Sequence, residues 1–235
     1  MFARCWLSVA LAVAAVFAGA STAGAHFVWI ESEEHGDQVL VRSGFGEADG
    51  WDPDLIDRMQ AVQFWLRTPA GLQPLDVPLN AKEHEYRAEI PAKRPLAILA
   101  KCDFGVVQLG GKAPTWLRYT AKSLFGPAAA WADDRPTTEL RIELLATFER
   151  DHVRLTAWHL GQPLAAAKIK ATSPKGDRIE LVTDSKGIAR WRVDAPGVYV
   201  CYVGTTVQQA GERDRKPYET LKDYTTLTFR IGDKH

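Results

Sequence analysis

His26 is the residue whose type and position offer the most defined chemistry in this sequence. Cleavage of a signal peptide after Ala25 would leave His26 as the first residue of the mature chain, with a free α-amine and an imidazole on one residue. An unperturbed α-amine has a pKa of about 8 and an unperturbed imidazole one of about 6.5, so both groups lose a proton readily to a metal ion. Imidazole suits copper, nickel and zinc. The position therefore predicts a compact chelate for Ni(II) or Cu(II); the other interpretation is an ordinary first ordered residue at a flexible terminus.

His84 is the predicted partner ligand. In the alternating run from Glu83 to Ile90 it falls on the same face as the apolar residues of that strand. A histidine there is either a rigid third ligand or a hydrogen-bonded core residue, and both interpretations stay open. None of the other four histidines has the spacing of a zinc motif. The predicted metal site therefore contains His26 and His84.

Sequence signatures of catalysis are missing from the chain. It has no Gly-x-Ser-x-Gly elbow, no phosphate-binding glycine loop and no thiol motif. The acidic stretch from Glu47 to Asp54 lacks the spacing of a calcium loop and is interpreted as a solvated loop. The prediction is a binding protein and not an enzyme.

Residues 1–25 have the order of a secretory signal peptide. A positive charge at Arg4 precedes an apolar run that is shorter than the ~20 residues of a spanning helix, and small residues follow. Two Ala-Gly-Ala triplets satisfy the cleavage rule, and the second one ends at Ala25, directly before the first predicted strand. Cys5 precedes the apolar run, so no lipid anchor is expected. The predicted location is periplasmic or secreted.

Charge and cysteine content narrow the function classes further. The 29 Lys and Arg residues balance the 29 Asp and Glu residues and are interspersed with them, so the basic stripe of a nucleic-acid-binding protein is missing. Cys102 and Cys201 lie in opposite halves of the chain. They either form a bridge between the halves or are two small buried hydrophobic residues.

Short alternating segments separated by turn residues predict an all-β fold with two β-sandwich-type domains. Residues 136–235 contain seven such segments, the number of strands in an immunoglobulin-like sandwich. These are Glu139 to Phe148, Val153 to His159, Ala167 to Thr172, Ile179 to Thr183, Ile188 to Val193, Val198 to Val203 and Thr225 to Ile231.

Residues 26–135 are predicted to form the other β-rich domain. Its expected strands are Phe27 to Ser32, Gln38 to Ser43, Ala61 to Thr68, Glu85 to Ile90 and Leu96 to Cys102. A helical turn is expected at Leu55 to Met59, and Pro114 to Trp131 is interpreted as a long connection that leads to the boundary.

Two resemblances add to this interpretation. Gly161-Gln162-Pro163-Leu164, the run Thr183 to Ala189 and Pro196-Gly197-Val198-Tyr199 resemble carboxypeptidase-regulatory-like sandwich modules, which implies a fold but no function. The His-Phe start, Gly44-Phe45-Gly46-Glu47 and the segment Tyr119 to Lys122 resemble bacterial exported proteins labelled nickel-uptake-transporter-related periplasmic proteins.

The second resemblance implies a transition metal as cargo and a membrane metal transporter as partner. In its nickel branch the segment that matches Gly44 to Glu47 carries a histidine, whereas this chain has Phe45. The sequence thus predicts an exported transition-metal-binding protein that is an accessory to the uptake of nickel or another metal. The alternative is a structural or adhesive extracellular β-sandwich protein that binds proteins or glycans without metal.

Overall fold

A computed structural model describes residues 26–48, 50–59, 61–68, 70–91, 97–108, 110–126 and 135–232. The predicted signal peptide and the last three residues lie outside the described residues. The prediction of an all-β, sandwich-type fold is confirmed, since the described chain consists of strands and one short 3₁₀ helix. No helix in these ranges has the length and apolar character needed to cross a membrane.

Within the described residues, nine strands and the 3₁₀ helix precede residue 135. They are β1 (Phe27–His35), β2 (Gln38–Glu47), β3 (Gly50–Trp51), the 3₁₀ helix (Pro53–Met59), β4 (Gln63–Thr68), β5 (Gly71–Leu75), β6 (Leu79–Asn80), β7 (Glu85–Pro91), β8 (Ala97–Val107) and β9 (Thr115–Leu124).

From residue 135 to residue 232, the structure describes eight further strands. They are β10 (Ile142–Glu149), β11 (His152–His159), β12 (Gln162–Pro163), β13 (Lys168–Thr172), β14 (Arg178–Val182), β15 (Ile188–Arg192), β16 (Gly197–Arg213) and β17 (Lys216–Ile231).

The strands form three sheets. The central sheet has eight strands in the order β14-β13-β16-β17-β9-β8-β4-β5. The N-terminal sheet has the order β1-β2-β7-β6, with β3 beside β2, and the C-terminal sheet contains β10, β11 and β12, with β15 beside β11. The two halves of the chain are joined in the central sheet, where β9 of the N-terminal half pairs with β17 of the C-terminal half. The two strands run parallel from Thr115 and Thr220 onward. The central sheet therefore crosses the predicted boundary at residue 135.

Each face of the central sheet carries a hydrophobic core, as the alternation along β8 illustrates. Ala97 and Leu99 pack into the core shared with the C-terminal sheet, whereas Ile98, Ala100 and Cys102 pack into the core shared with the N-terminal sheet. Successive side chains of a strand point to opposite faces. The molecule is thus layered, with the central sheet between the other two.

The C-terminal half has the seven main strands expected of an immunoglobulin-like sandwich. Three of them (β10, β11 and β15) face four (β13, β14, β16 and β17) across one core. Tyr199 lies at the start of β16, two residues before Cys201, and its hydroxyl donates to the Ala195 carbonyl oxygen at 2.8 Å. A tyrosine that bonds back to the preceding connection in this way is a hallmark of such sandwiches.

Strand β9 corrects the prediction that Pro114 to Trp131 is a connection. It lies between β17 and β8 and is one of the inner strands of the central sheet. Its alternation is obscured because Arg118 and Lys122 point into the protein, where they pair with the buried carboxylates of Asp223 and Glu143. Charged residues at inward positions make a buried strand resemble a surface segment.

Cys102 and Cys201 are free and buried, so the interpretation as two small hydrophobic residues is the one that the structure supports. Their strands, β8 and β16, are separated by β9 and β17, and neighbouring strands lie about 4.8 Å apart. The resulting separation far exceeds the Cα distance that a disulfide allows. Burial raises the pKa of the Cys102 thiol to about 12 and also raises that of Cys201.

Candidate functional site

His26 lies immediately before β1, at one end of the N-terminal sheet. Its imidazole stacks on Phe45, with ring centroids 6.1 Å apart, and its Nε2 atom lies 3.6 Å from Oδ2 of Asp52. The side chain keeps 37% of its surface exposed. An aromatic ring and a carboxylate therefore contact the imidazole while the residue stays accessible to solvent.

Two glycines of the segment Gly44-Phe45-Gly46-Glu47 allow Asp52 to lie near His26, because neither position has room for a side chain. A Cβ atom on Gly44 would lie 2.3 Å from the Trp51 ring, and one on Gly46 would lie 2.5 Å from the Gly50 carbonyl oxygen. The close approach lets β3 pair with the end of β2. Asp52 directly follows β3 and so reaches the end of the sheet where His26 lies.

Asp52 is held in place by hydrogen bonds that do not involve His26. Its backbone N–H donates to the Phe45 carbonyl oxygen at 2.7 Å, and its Oδ1 atom accepts from the Asp54 N–H at 3.0 Å. The latter bond caps the 3₁₀ helix, whose first residue is Pro53. The capping bond uses one carboxylate oxygen and leaves Oδ2 facing His26.

An aromatic cluster lies beneath the site. Phe45 stacks on Phe104 of β8 with centroids 4.6 Å apart and contacts Tyr119 of β9 at 5.3 Å. Tyr119 in turn stacks on Tyr224 of β17 at 5.7 Å. Burial raises the pKa of Tyr119, so its phenol stays neutral at physiological pH. The site is thus open to solvent on one side and apolar on the other.

The placement of His84 on the apolar face of a strand is wrong. Strand β7 begins at Glu85, and His84 is the exposed last residue of the preceding turn, with a φ of 53°. Asn80 makes this turn, because its side-chain oxygen accepts from the N–H groups of Lys82 and Glu83. The strand therefore begins at Glu85 as expected, but the alternating run that placed His84 on its apolar face starts two residues earlier, in the turn.

His26 and His84 lie just before two different strands of the N-terminal sheet. His26 precedes β1 and His84 precedes β7, and β2 runs between these two strands. The described contacts of His26 are with Phe45 and Asp52. Asp52 is therefore a polar side chain that the fold places beside His26.

The donor set at His26 fits a first-row divalent cation only in part. Within the described ranges, no group of three or more His, Cys, Asp or Glu side chains is arranged to hold a metal ion. His26 and Asp52 bring one imidazole and one carboxylate together. A mature chain that begins at His26 would add the α-amine, and nitrogen donors of this kind suit nickel and copper.

Sequence reasoning missed Asp52 because it assigned the whole acidic stretch to solvent. The overlooked signal is the order Asp52-Pro53-Asp54, in which an aspartate precedes a proline and a helical turn. This order is typical of a helix cap. A capping residue has a defined position, unlike a carboxylate in a solvated loop.

A second polar cluster lies where the C-terminal sheet meets the central sheet. Arg118 donates to both oxygens of the buried Asp223, at 2.7 and 2.8 Å, and Nε2 of His159 lies 3.0 Å from Oδ2. These three contacts satisfy the carboxylate. The cluster therefore joins β9, β11 and β17 and is interpreted as structural.

Comparison of the sequence with protein-family models finds none that matches, and comparison with curated proteins finds no matching sequence. The proposed function therefore rests on the residues of the site and their geometry.

Proposed function

We propose that the protein is an exported binder of a transition metal ion, Ni(II) or Cu(II), with His26 as its first ligand, and that it is an accessory to a membrane metal transporter. The observation that carries the proposal is the surrounding of His26, where an accessible imidazole lies between an aromatic ring and a carboxylate. Signal-peptide cleavage after Ala25 would add the α-amine to the same residue.

The chemistry of such a site follows from its donors. Amine and imidazole on one residue lose little additional chain entropy on chelation, and the nearby carboxylate offsets part of the cation's charge. Affinity of nitrogen sites rises from nickel to copper, so Cu(II) binds more tightly in vitro whichever metal the cell uses. Protons compete with the metal for both nitrogens, so binding weakens as the pH falls below about 6.

The test is a calorimetric titration of native-start protein with Cu(II) and Ni(II), beside two altered forms. One form carries a single extra residue before His26, which turns the amine into an amide, and the other is His26→Ala. Both are expected to bind at least about tenfold more weakly, a difference of about 1.4 kcal/mol. Equal affinity in all three forms would exclude His26 as a ligand. Titration of His84→Ala tests the other predicted ligand, and an unchanged affinity would exclude it.

A second candidate function, protein binding without metal by a structural or adhesive module, is favoured by one edge of the central sheet. Strand β13 pairs with β16 only at Val200 to Tyr202. From Gly204 to Gly211 this edge of β16 has no partner among the described strands, and the run contains no charged residue. Natural sheets normally protect such edges, and an open edge accepts an extended strand from a partner.

The edge can be tested by selecting extended apolar peptides from a random library on metal-free protein. Val207→Lys puts a charge at an exposed position of the open strand and is expected to abolish binding of the selected peptides. Peptides that bind wild-type and Val207→Lys protein equally would exclude strand addition at this edge.

A further inference from the structure

We infer that Asp52 positions the imidazole of His26 so that Nδ1, and not Nε2, joins the α-amine in the chelate. The inference rests on the proposed metal site. Its starting observation is that the ring nitrogen facing Oδ2 of Asp52, at 3.6 Å, is Nε2. The carboxylate thus lies on the side of the ring that is remote from the main chain.

The covalent structure of histidine agrees with this assignment. The α-amine and Nδ1 of one residue close a six-membered ring around a metal ion, whereas Nε2 lies too far along the imidazole to reach an ion that the amine holds. A neutral imidazole that binds metal through Nδ1 carries its proton on Nε2. That proton then points at the Asp52 carboxylate, which stabilises this tautomer.

Asp52 is suited to positioning the imidazole because its own main chain and carboxylate are held in place. Its main chain is bonded to Phe45, and its Oδ1 atom caps the 3₁₀ helix through Asp54. Carboxylates that accept from the non-ligating nitrogen of a metal-binding histidine fix the ring orientation and raise its basicity. The separation of 3.6 Å exceeds hydrogen-bonding range, so in the metal-free protein the contact is an electrostatic one.

Two variants separate the roles of Asp52 without removing the helix cap. Asparagine and serine both cap helices about as well as aspartate, so the 3₁₀ helix should persist in each. Asp52→Asn keeps the capping oxygen but places an NH2 group where Oδ2 faced Nε2, so it favours the opposite tautomer, with the proton on Nδ1. The side chain of Asp52→Ser is too short to reach His26. Asp54→Asn is the matched control, because it changes a neighbouring carboxylate whose described bond to Asp52 is made by the backbone.

The first measurement is the tautomer of His26 in metal-free, native-start protein, read from its ring ¹⁵N chemical shifts at pH 8. Wild-type and Asp54→Asn protein are expected to show the Nε2–H form, Asp52→Asn the Nδ1–H form, and Asp52→Ser a mixture of both tautomers. The same mixture in wild-type and Asp52→Ser protein would overturn the inference. This readout does not need metal, so it stands even if the proposed function fails.

The second measurement is Cu(II) affinity together with the electron paramagnetic resonance spectrum of the Cu(II) form. Asp52→Ser and Asp52→Asn are both expected to weaken binding about 10- to 100-fold, the usual effect of removing a partner of this kind, while Asp54→Asn stays within about threefold of wild type. Nitrogen couplings from amine and imidazole should persist in Asp54→Asn. If Asp52→Asn and Asp52→Ser both bind Cu(II) as tightly as wild type, the positioning role is wrong.

Discussion

The ion pair between Lys122 and Glu143 is expected to be a major determinant of stability. Lys122 lies on β9 and Glu143 on β10, so the pair connects the two halves of the chain, and the side chains are 0% and 2% exposed. Arg67 of β4 adds a second cation, with Nη1 3.7 Å from the carboxylate. Thr137 donates its N–H to the other carboxylate oxygen at 2.9 Å. One carboxylate therefore faces two cations away from water.

Glu143→Gln removes the negative charge and leaves both cations. Breaking a buried pair by neutralising one partner costs about 3–5 kcal/mol, because the remaining charge stays desolvated without compensation. In a chain of this size each kcal/mol lowers Tm by about 2–4 °C, so a fall of about 6–20 °C is expected. Lys122→Met should cost less, since Arg67 and the Thr137 N–H remain beside the carboxylate.

Urea unfolding of the mature protein measures these differences as changes in midpoint at constant slope. The matched control is Glu180→Gln, which breaks an ion pair with Lys168 at 3.0 Å, whose side chains are 43% and 70% exposed. An exposed pair contributes less than about 1 kcal/mol. If Glu143→Gln costs no more than the control, or if Lys122→Met costs more than Glu143→Gln, the reasoning about this buried cluster is wrong.

Three further predictions follow from single residues. Native protein should show two free thiols that react with Ellman's reagent only after unfolding, because burial raises the pKa of Cys102 and Cys201; rapid reaction in the native state would contradict this. Tyr199→Phe should lower the free energy of unfolding in urea by about 1–2 kcal/mol through loss of its bond to Ala195, and an unchanged midpoint would count against that bond. The pKa of Asp184 lies below its ordinary value because backbone N–H groups donate to its carboxylate. The destabilisation caused by Asp184→Ala at pH 7 should therefore shrink as the pH falls through the carboxyl range near about 4. Urea midpoints at pH 7 and pH 3 test this, and an equal loss of stability at both would refute it.

Sequence patterns located most strands of the C-terminal half because each has one buried and one solvated face. In β11, for example, Val153, Leu155 and Ala157 are buried and the residues between them are partly exposed. The extent of β16 could not be predicted, because beyond Gly204 its residues are largely exposed and pair, among the described strands, with β17 alone. Exposure on both faces removes the alternation by which a strand is recognised.

At the candidate site, sequence reasoning proposed His26 as a ligand but did not predict its surroundings. His26 was proposed from its place after the predicted signal peptide, which needs no knowledge of the fold. His84 was misplaced because the alternation was extended two residues into a turn. The proximity of Asp52 to His26 depends on how closely β3 can approach β2, which Gly44 and Gly46 determine. A contact of that kind follows from three-dimensional packing and cannot be read from local pattern.

The central sheet connects the candidate site to both halves of the chain. The aromatic cluster beneath His26 begins with Phe45 of β2, continues to Tyr119 of β9 and reaches Tyr224 of β17, so residues from both halves support the site. The parallel pairing of β17 with β9 aligns Tyr224 with Tyr119 in the same register. Because adjacent side chains in a packed core resist displacement, a change in the C-terminal sandwich that shifts β17 would alter the aromatic cluster beneath His26. The immunoglobulin-like half therefore belongs to the structural support of the N-terminal site and is not a separate appendage.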